Sequence, residues 1–187
     1  MFPELQKKLT ALYTFTTALI LTFILSITFL FDLSSRKNRQ EALFQNHLFV
    51  LSSRLQTGST FTDTDLAQME LKNQLLIRVE ENDALFFFPG AYEARTERET
   101  LFSQAEEAAA KEGIYPDSHP VSSDLLQTEI FTLSGASHDS YLGTVLILRI
   151  PSGYRRLILL LDITENKRQL LGSALFYGLI DLLGIFL

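Results

Sequence analysis

From Leu9 to Phe31 the chain reads LTALYTFTTALILTFILSITFLF, 23 residues without a charge. At the helical rise such a run is about 34 Å long, enough to cross a hydrocarbon core about 30 Å thick. Lys7 and Lys8 close one end; Asp32, Arg36, Lys37 and Arg39 close the other. A cleaved secretory signal would have an apolar core of roughly 7 to 15 residues and a small-residue cleavage site. This run is longer, and Phe31-Asp32-Leu33 offers no such site. The feature predicts an uncleaved transmembrane helix over 9–31, preceded by a short cytoplasmic stub over 1–8.

A second apolar run, Leu170 to Leu187, follows the polar collar Glu165-Asn166-Lys167-Arg168. Its 18 residues sit at the spanning threshold. It predicts a second transmembrane helix that ends flush with Leu187, the pattern expected of a chain that continues. Asp181 is the one ionisable residue inside this run. A carboxylate near the bilayer centre costs about 2.5 to 3.5 kcal/mol on insertion scales, so it needs a partner, a cavity or a place near the headgroups. Thr10, Thr14, Ala18, Thr22 and Ser26 recur every fourth residue in the first span. That stripe either admits a close neighbouring helix or bonds back to its own preceding turns. Thr14, Ala18, Thr22 and Ser26, with Ala174, Gly178 and Asp181 opposite, are the candidate membrane-packing residues, and a stripe hydroxyl is the candidate partner of Asp181.

Between the runs lie 136 residues, Ser34 to Gln169, with 14 basic and 19 acidic side chains, a net charge of −5. A nucleic-acid surface should be basic, which excludes that partner. The chain has no cysteine, so an exported domain of this size stands on its apolar core alone.

Phe44, Leu48, Leu51 and Leu55 fall at i, i+4, i+7 and i+11, predicting that helix continues as an amphipathic stalk over about 34–56, ended by Gly58. Thr62 or Asp63 can cap a second helix to about Asn73, with Leu66, Met69 and Leu71 turned inward. LLIRVEE, Asn82-Asp83 and ALFFF read as a hairpin closed by a Pro89-Gly90 type II turn. Thr96-Glu97-Arg98-Glu99 has the form of a capping box opening a helix through Leu101, Phe102, Ala105 and Ala109, which Gly113 ends. Strands over Thr128–Leu133, Tyr141–Ile150 and Tyr154–Asp162 follow, the last two apolar enough to be covered on both faces.

This order predicts an α+β domain: a PAS-like antiparallel five-stranded sheet with a long N-terminal helix, over 32–169, between two transmembrane helices. The last strand leads almost directly into the second span, so a shift in the sheet would pass to that helix.

The candidate sites are few. His47, His119 and His138 stand 72 and 19 positions apart, which is no metal motif. Ser137-His138-Asp139 cannot form a triad from adjacent positions, and the glycines form no phosphate loop. Arg78 and Glu80 alternate with Ile77 and Val79, and Tyr92 and Arg95 follow the Pro-Gly turn. These four are the candidate ligand-binding residues, against the plainer reading of solvated surface charges.

The strings FQNHLFVLSSRLQ, LAQMELKNQLLIRVEENDALFFFPG, TERETL, YLGTVLILRIPSGYRRLILLLDIT and YGLIDLLGIFL resemble the extracytoplasmic sensor region and second membrane helix of two-component sensor histidine kinases from Gram-positive, clostridia-like bacteria. The resemblance implies a membrane-anchored, homodimeric input module. It would sense an extracellular ligand and act on a cytoplasmic kinase, with its ATP and Mg, and through it on a response regulator. The kinase's Ser-His-Glu-Leu-Arg type helix and ATP-binding boxes are absent here, so no catalytic residue, metal ligand or cofactor is assigned to this chain. Arg36, Lys37, Arg39, Lys167 and Arg168 outnumber Lys7 and Lys8, so charge counting opposes an extracytoplasmic domain; the resemblance favours it. The alternative is a self-contained two-span envelope protein that binds or supports without a kinase. A tethered hydrolase lacks any nucleophile and base constellation.

Overall fold

A computed structural model describes residues 2–56, 62–82, 84–85, 88, 90–118, 120 and 125–186. Contacts divide the chain into two units, Leu43–Glu165 and Met1–Ala42 with Asn166–Leu187.

The first unit begins within helix α1 (Phe2–Gln56), whose apolar stripe Phe44, Leu48, Leu51 and Leu55 is buried. Helix α2 (Asp63–Asn73) is opened by a true capping box. Asp65 N–H donates to the Thr62 hydroxyl at 3.2 Å, and Thr62 N–H donates to the Asp65 carboxylate at 3.3 Å. Leu66 is buried and Met69 partly so, as the spacing predicts, but Leu71 is 60% exposed and the inward position is taken by Glu70. Four residues return a helix to the same face and five do not. Gly58, expected to end α1, lies outside the described residues.

Strands β1 (Leu75–Glu81) and β2 (Ala84–Leu85) form the predicted hairpin, with β2 two residues long. The ALFFF strand is not seen over its length, since Phe86 and Phe87 lie outside the described residues and Phe88 is not in a strand. Pro89 lies outside them too, while Gly90 has the positive φ of +80° that the second central position of a type II turn requires.

Helix α3 (Arg98–Lys111) corrects the second capping box. Its N-cap is Glu97, which makes no side-chain cap, and Thr96 is buried against Asp139 instead. The motif is local, and a buried carboxylate from another segment outcompetes an N-cap that water can satisfy. The other end follows expectation. Gly113 has φ +79°, its N–H bonds the Ala110 carbonyl, and Ile114 N–H bonds the Ala109 carbonyl, which is a complete Schellman closure with Ile114 and Ala109 buried together.

The strand expected over Thr128–Leu133 is two, β3 (Leu125–Gln127) and β4 (Phe131–Ser134), both paired with β5 (Ser140–Ile150). Thr128 causes the break. It is buried, its N–H bonds the Val145 carbonyl, and its hydroxyl accepts from Val145 N–H at 3.0 Å in place of its own carbonyl, which accepts from the Thr144 hydroxyl instead. Strand β6 (Gly153–Asp162) pairs with β5 through a two-residue turn and with β1 on its other side. The order is β2-β1-β6-β5 followed by β3 and β4, so six strands fill five positions of one antiparallel sheet.

Both faces are covered, as the unbroken apolar runs predict. Leu75, Ile77, Val79, Leu146, Leu148, Leu157 and Leu159 pack with α1 and α2; Leu76, Tyr141, Val145, Ile147, Ile158 and Leu160 pack with Leu101, Phe102 and Ala105 of α3. Arg155 anchors the end of α1, donating from Nη1 to the Leu55 carbonyl at 2.9 Å and from Nε to Glu81. A cation on the last carbonyls of a helix suits its dipole.

The second unit holds the beginning of α1 and most of helix α4 (Thr164–Phe186). Alpha1 contains an 18-residue window of mean hydropathy 2.1, none of it buried, long and apolar enough to cross a membrane. Thr22 donates its hydroxyl to Asp181 at 2.7 Å, so the carboxylate's partner is a member of the stripe. Thr22, Ser26, Ala174, Gly178 and Asp181 line one hollow of about 180 Å³ with Phe29 and Tyr177, whose rings meet edge to face. Thr14 and Ala18 are not part of it; they line a separate groove with Thr10 and Phe15. Elsewhere the hydroxyls bond back along their own helix, Thr10 to Gln6 and Thr28 to Ile24 among them.

Candidate functional site

Strand alternation sends Leu76, Arg78 and Glu80 of β1 to the α3 face, opposite Leu160, Ile158 and Arg156 of β6. Apolar pairs therefore give way to charged ones toward one end of the sheet. Arg156 donates from Nε to Glu80 at 2.7 Å and from Nη2 to Glu106 at 3.2 Å, while Arg78 donates from Nη1 to Glu99 at 3.0 Å. Glu99 and Glu106 are seven apart on α3 and so share a face. The result is a row of alternating charge, Glu99, Arg78, Glu80, Arg156 and Glu106. Glu80 is buried, and neighbours of opposite charge are what make that tolerable.

Phe102, buried beneath this row, lies under two cations. The guanidinium carbons of Arg78 and Arg98 are 5.4 and 5.3 Å from its ring centre. A cavity of about 30 Å³ opens between them, lined also by Val79, Phe88 and Glu99.

Arg98 leads to the second feature, the strap Gly90–Arg98 between β2 and α3, which three carboxylates pin. Glu70, fully buried, accepts from Ile77 N–H at 2.8 Å, Ala91 N–H at 2.7 Å, Tyr92 N–H at 3.1 Å and both Nη groups of Arg98. Asp162 accepts from the Tyr92 hydroxyl at 2.8 Å on one oxygen and from Thr164 N–H at 2.8 Å on the other. Asp139, also buried, accepts from Thr96 N–H at 3.0 Å, the Thr96 hydroxyl at 2.7 Å and the Tyr141 hydroxyl at 2.6 Å.

These contacts set the protonation of the strap. Burial and the Asp162 carboxylate push the Tyr92 hydroxyl up to about 12. Burial together with Asp139 likewise raises Tyr141. Burial alone would raise Asp139, but the hydrogen bonds from Tyr141 and Thr96 outweigh it and hold the carboxyl below its ordinary value. The strap is thus held by carboxylates that accept hydrogen bonds from backbone N–H groups, hydroxyls and a guanidinium.

Of the four expected ligand residues, Arg78 and Glu80 share the charged row, and Arg78 alone lines the cavity. Tyr92 belongs to the strap, bonded to Asp162, and Arg95 is exposed with its carbonyl held by the Ser137 hydroxyl. Ser137-His138-Asp139 is no triad: Ser137 bonds Arg95, and Asp139 bonds Thr96 and Tyr141. His47 is half-buried, which lowers its pKa, and His119 lies outside the described residues. Glu70 and Glu106 carry no mark in the sequence, where Arg98, Glu99, Asp139 and Asp162 figure only as parts of a capping box, a rejected triad and a strand end. One signal was present, an acid four residues after Leu66 on the inward stripe of α2.

Compared with protein-family models, curated proteins and solved structures, the chain gives no match.

Proposed function

We propose that this chain is the membrane-anchored signal-sensing input module of a two-component sensor histidine kinase. It works as a homodimer with a PAS-like sensor domain outside the membrane between two spans, α1 and α4. It carries out no chemistry; a cytoplasmic kinase, and a response regulator beyond it, receive the signal. The observation that carries this reading is the double role of Asp162. The last residue of the last strand holds the strap through Tyr92 and, with its other oxygen, the first N–H of α4. A ligand that moves the strap thus changes the load on the root of α4, and only a ligand with different affinity for the two strap positions can do so. Further support comes from the sheet order, in which the final strand is central and every neighbouring element reports to it.

The test is a fusion of the full chain to the phosphoacceptor and ATP-binding domains of a histidine kinase, assayed for autophosphorylation in membrane vesicles. Tyr92→Phe and Asp162→Asn, which release the strap from α4, are expected to move output in the same direction. Unchanged output from both, at normal protein level, would sink the sensor reading and leave a self-contained envelope protein.

A further inference from the structure

The charged row contains a mismatch at Arg78. Its Nη1 binds Glu99, but Glu99 is 69% exposed, and exposed ion pairs hold weakly. Its Nε is buried and has no hydrogen-bond acceptor among the described residues. The Glu80 carboxylate lies 3.1 Å from that nitrogen, off the N–H axis, because Glu80 is aligned on Arg156 instead. A guanidinium is best satisfied when Nε–H and Nη–H meet the two oxygens of one carboxylate in parallel. Neither glutamate does this. The 30 Å³ cavity beside Arg78, room for about one water, is walled by the apolar side chains of Val79, Phe88 and Phe102 together with Arg98 and Glu99.

We propose that Arg78 recognises a small monocarboxylate, for which the Glu99 side chain stands in when the site is free. The proposal rests on the sensing function above and names the ligand class of that site. The incoming carboxylate takes both Nε–H and Nη1–H, and Glu99 swings to solvent. One carboxylate replaces another on the guanidinium, so Arg78 keeps an opposite charge beside it while the displaced Glu99 carboxylate is solvated. The vacated space and the cavity receive the first carbons of the acid against Phe88 and Phe102. A second charge, as on phosphate, would face those rings and Glu80, so a short apolar tail is selected. Arg98 borders the same cavity and holds Glu70, so an occupant touches the strap at its pinned end.

The experiment titrates the full chain in lipid nanodiscs with acetate, propionate or inorganic phosphate, observing ¹⁵N-arginine Nε–Hε resonances. The Arg78 signal is assigned by its loss in Arg78→Lys. The expected result is a saturable shift of that signal with propionate at lower concentration than acetate and none with phosphate. Glu99→Ala should tighten propionate binding by about fivefold, since an exposed competing ion pair is removed. An Arg78 signal that no probe shifts, phosphate binding as well as propionate, or a Glu99→Ala affinity equal to wild type would each overturn the proposal. Binding is read here without a kinase. Propionate binding that leaves fused-kinase output unchanged therefore counts against the sensing function alone, and strap variants that move output without propionate binding count against the ligand alone.

Discussion

Glu70 shows what a single side chain does in this domain. Five donors converge on it from β1, the strap and α3, so removing the carboxylate leaves one buried and two half-buried N–H groups and a guanidinium without their acceptor. Breaking a buried pair from one side costs about 3–5 kcal/mol, and Glu70→Ala should show a loss of that order in denaturant unfolding of the full chain in micelles. Glu70→Gln, which keeps two acceptor lone pairs, should lose less; equal losses would mean that shape and not charge is what the site uses. Asp139 gives a pH signature. Its folded carboxyl titrates below the unfolded one, so its contribution is present above the unfolded value of about 4 and is lost as pH falls through the folded value. Stability measured from pH 6 downward should fall in that window in wild type and fall less in Asp139→Asn. Tyr92 acts in the opposite sense, its contribution declining as pH rises from about 10 toward about 12. Beyond the acid that falls on the inward stripe of α2, none of these hubs could be read from the chain. Residues 70, 91 and 98, or 96, 139 and 141, are brought together only by the finished sheet, and carboxylates look alike in sequence whether they meet water or five donors.

At the scale of elements, local chemistry was legible where nothing distant competed. Thr62 and Asp65 form their box at an exposed helix start, whereas Thr96 meets the sequence requirement of the same motif and spends its hydroxyl on Asp139. Thr62→Ala is therefore expected to cost about 1 kcal/mol, a lost cap. Thr96→Ala should cost more and should weaken the pH dependence assigned to Asp139, because it removes a donor to that carboxylate. A pH profile for Thr96→Ala identical to wild type would show that the Asp139 effect comes from Tyr141 and backbone N–H groups and not from the Thr96 hydroxyl. The amphipathic stripe of α1 and the two-sided runs of β5 and β6 were fully readable, since periodicity and burial state the same fact. The break at Thr128 was not, because a threonine in a β-prone run gives no local sign that its side chain will replace the ladder.

At the scale of the whole molecule, composition marks off 9–31 and 170–187 as apolar, and the partner of Asp181 was legible as a stripe of hydroxyls though not as Thr22 in particular. In an apolar surround the Thr22–Asp181 bond is expected to be modest, with a coupling of about 0.6 kcal/mol in a Thr22→Val and Asp181→Asn cycle measured by unfolding in micelles. A coupling near zero would mean that the carboxylate finds a second partner at no cost. The sheet carries a different kind of information in its outline. Its long members, β5 and β6 with 11 and 10 residues, are interior, and its outer members are β2 with two residues on one side and the interrupted β3 and β4 on the other. On one margin β3 and β4 offer at most four consecutive residues among those described. On the other, Leu75–Val79 of β1 lie beyond the reach of β2, but there the Ile77 N–H and carbonyl are already taken by Glu70 and Arg98. Fibril growth and strand addition need longer free templates than either. Copies of this chain held at high density could thus crowd against one another without their sheets knitting together.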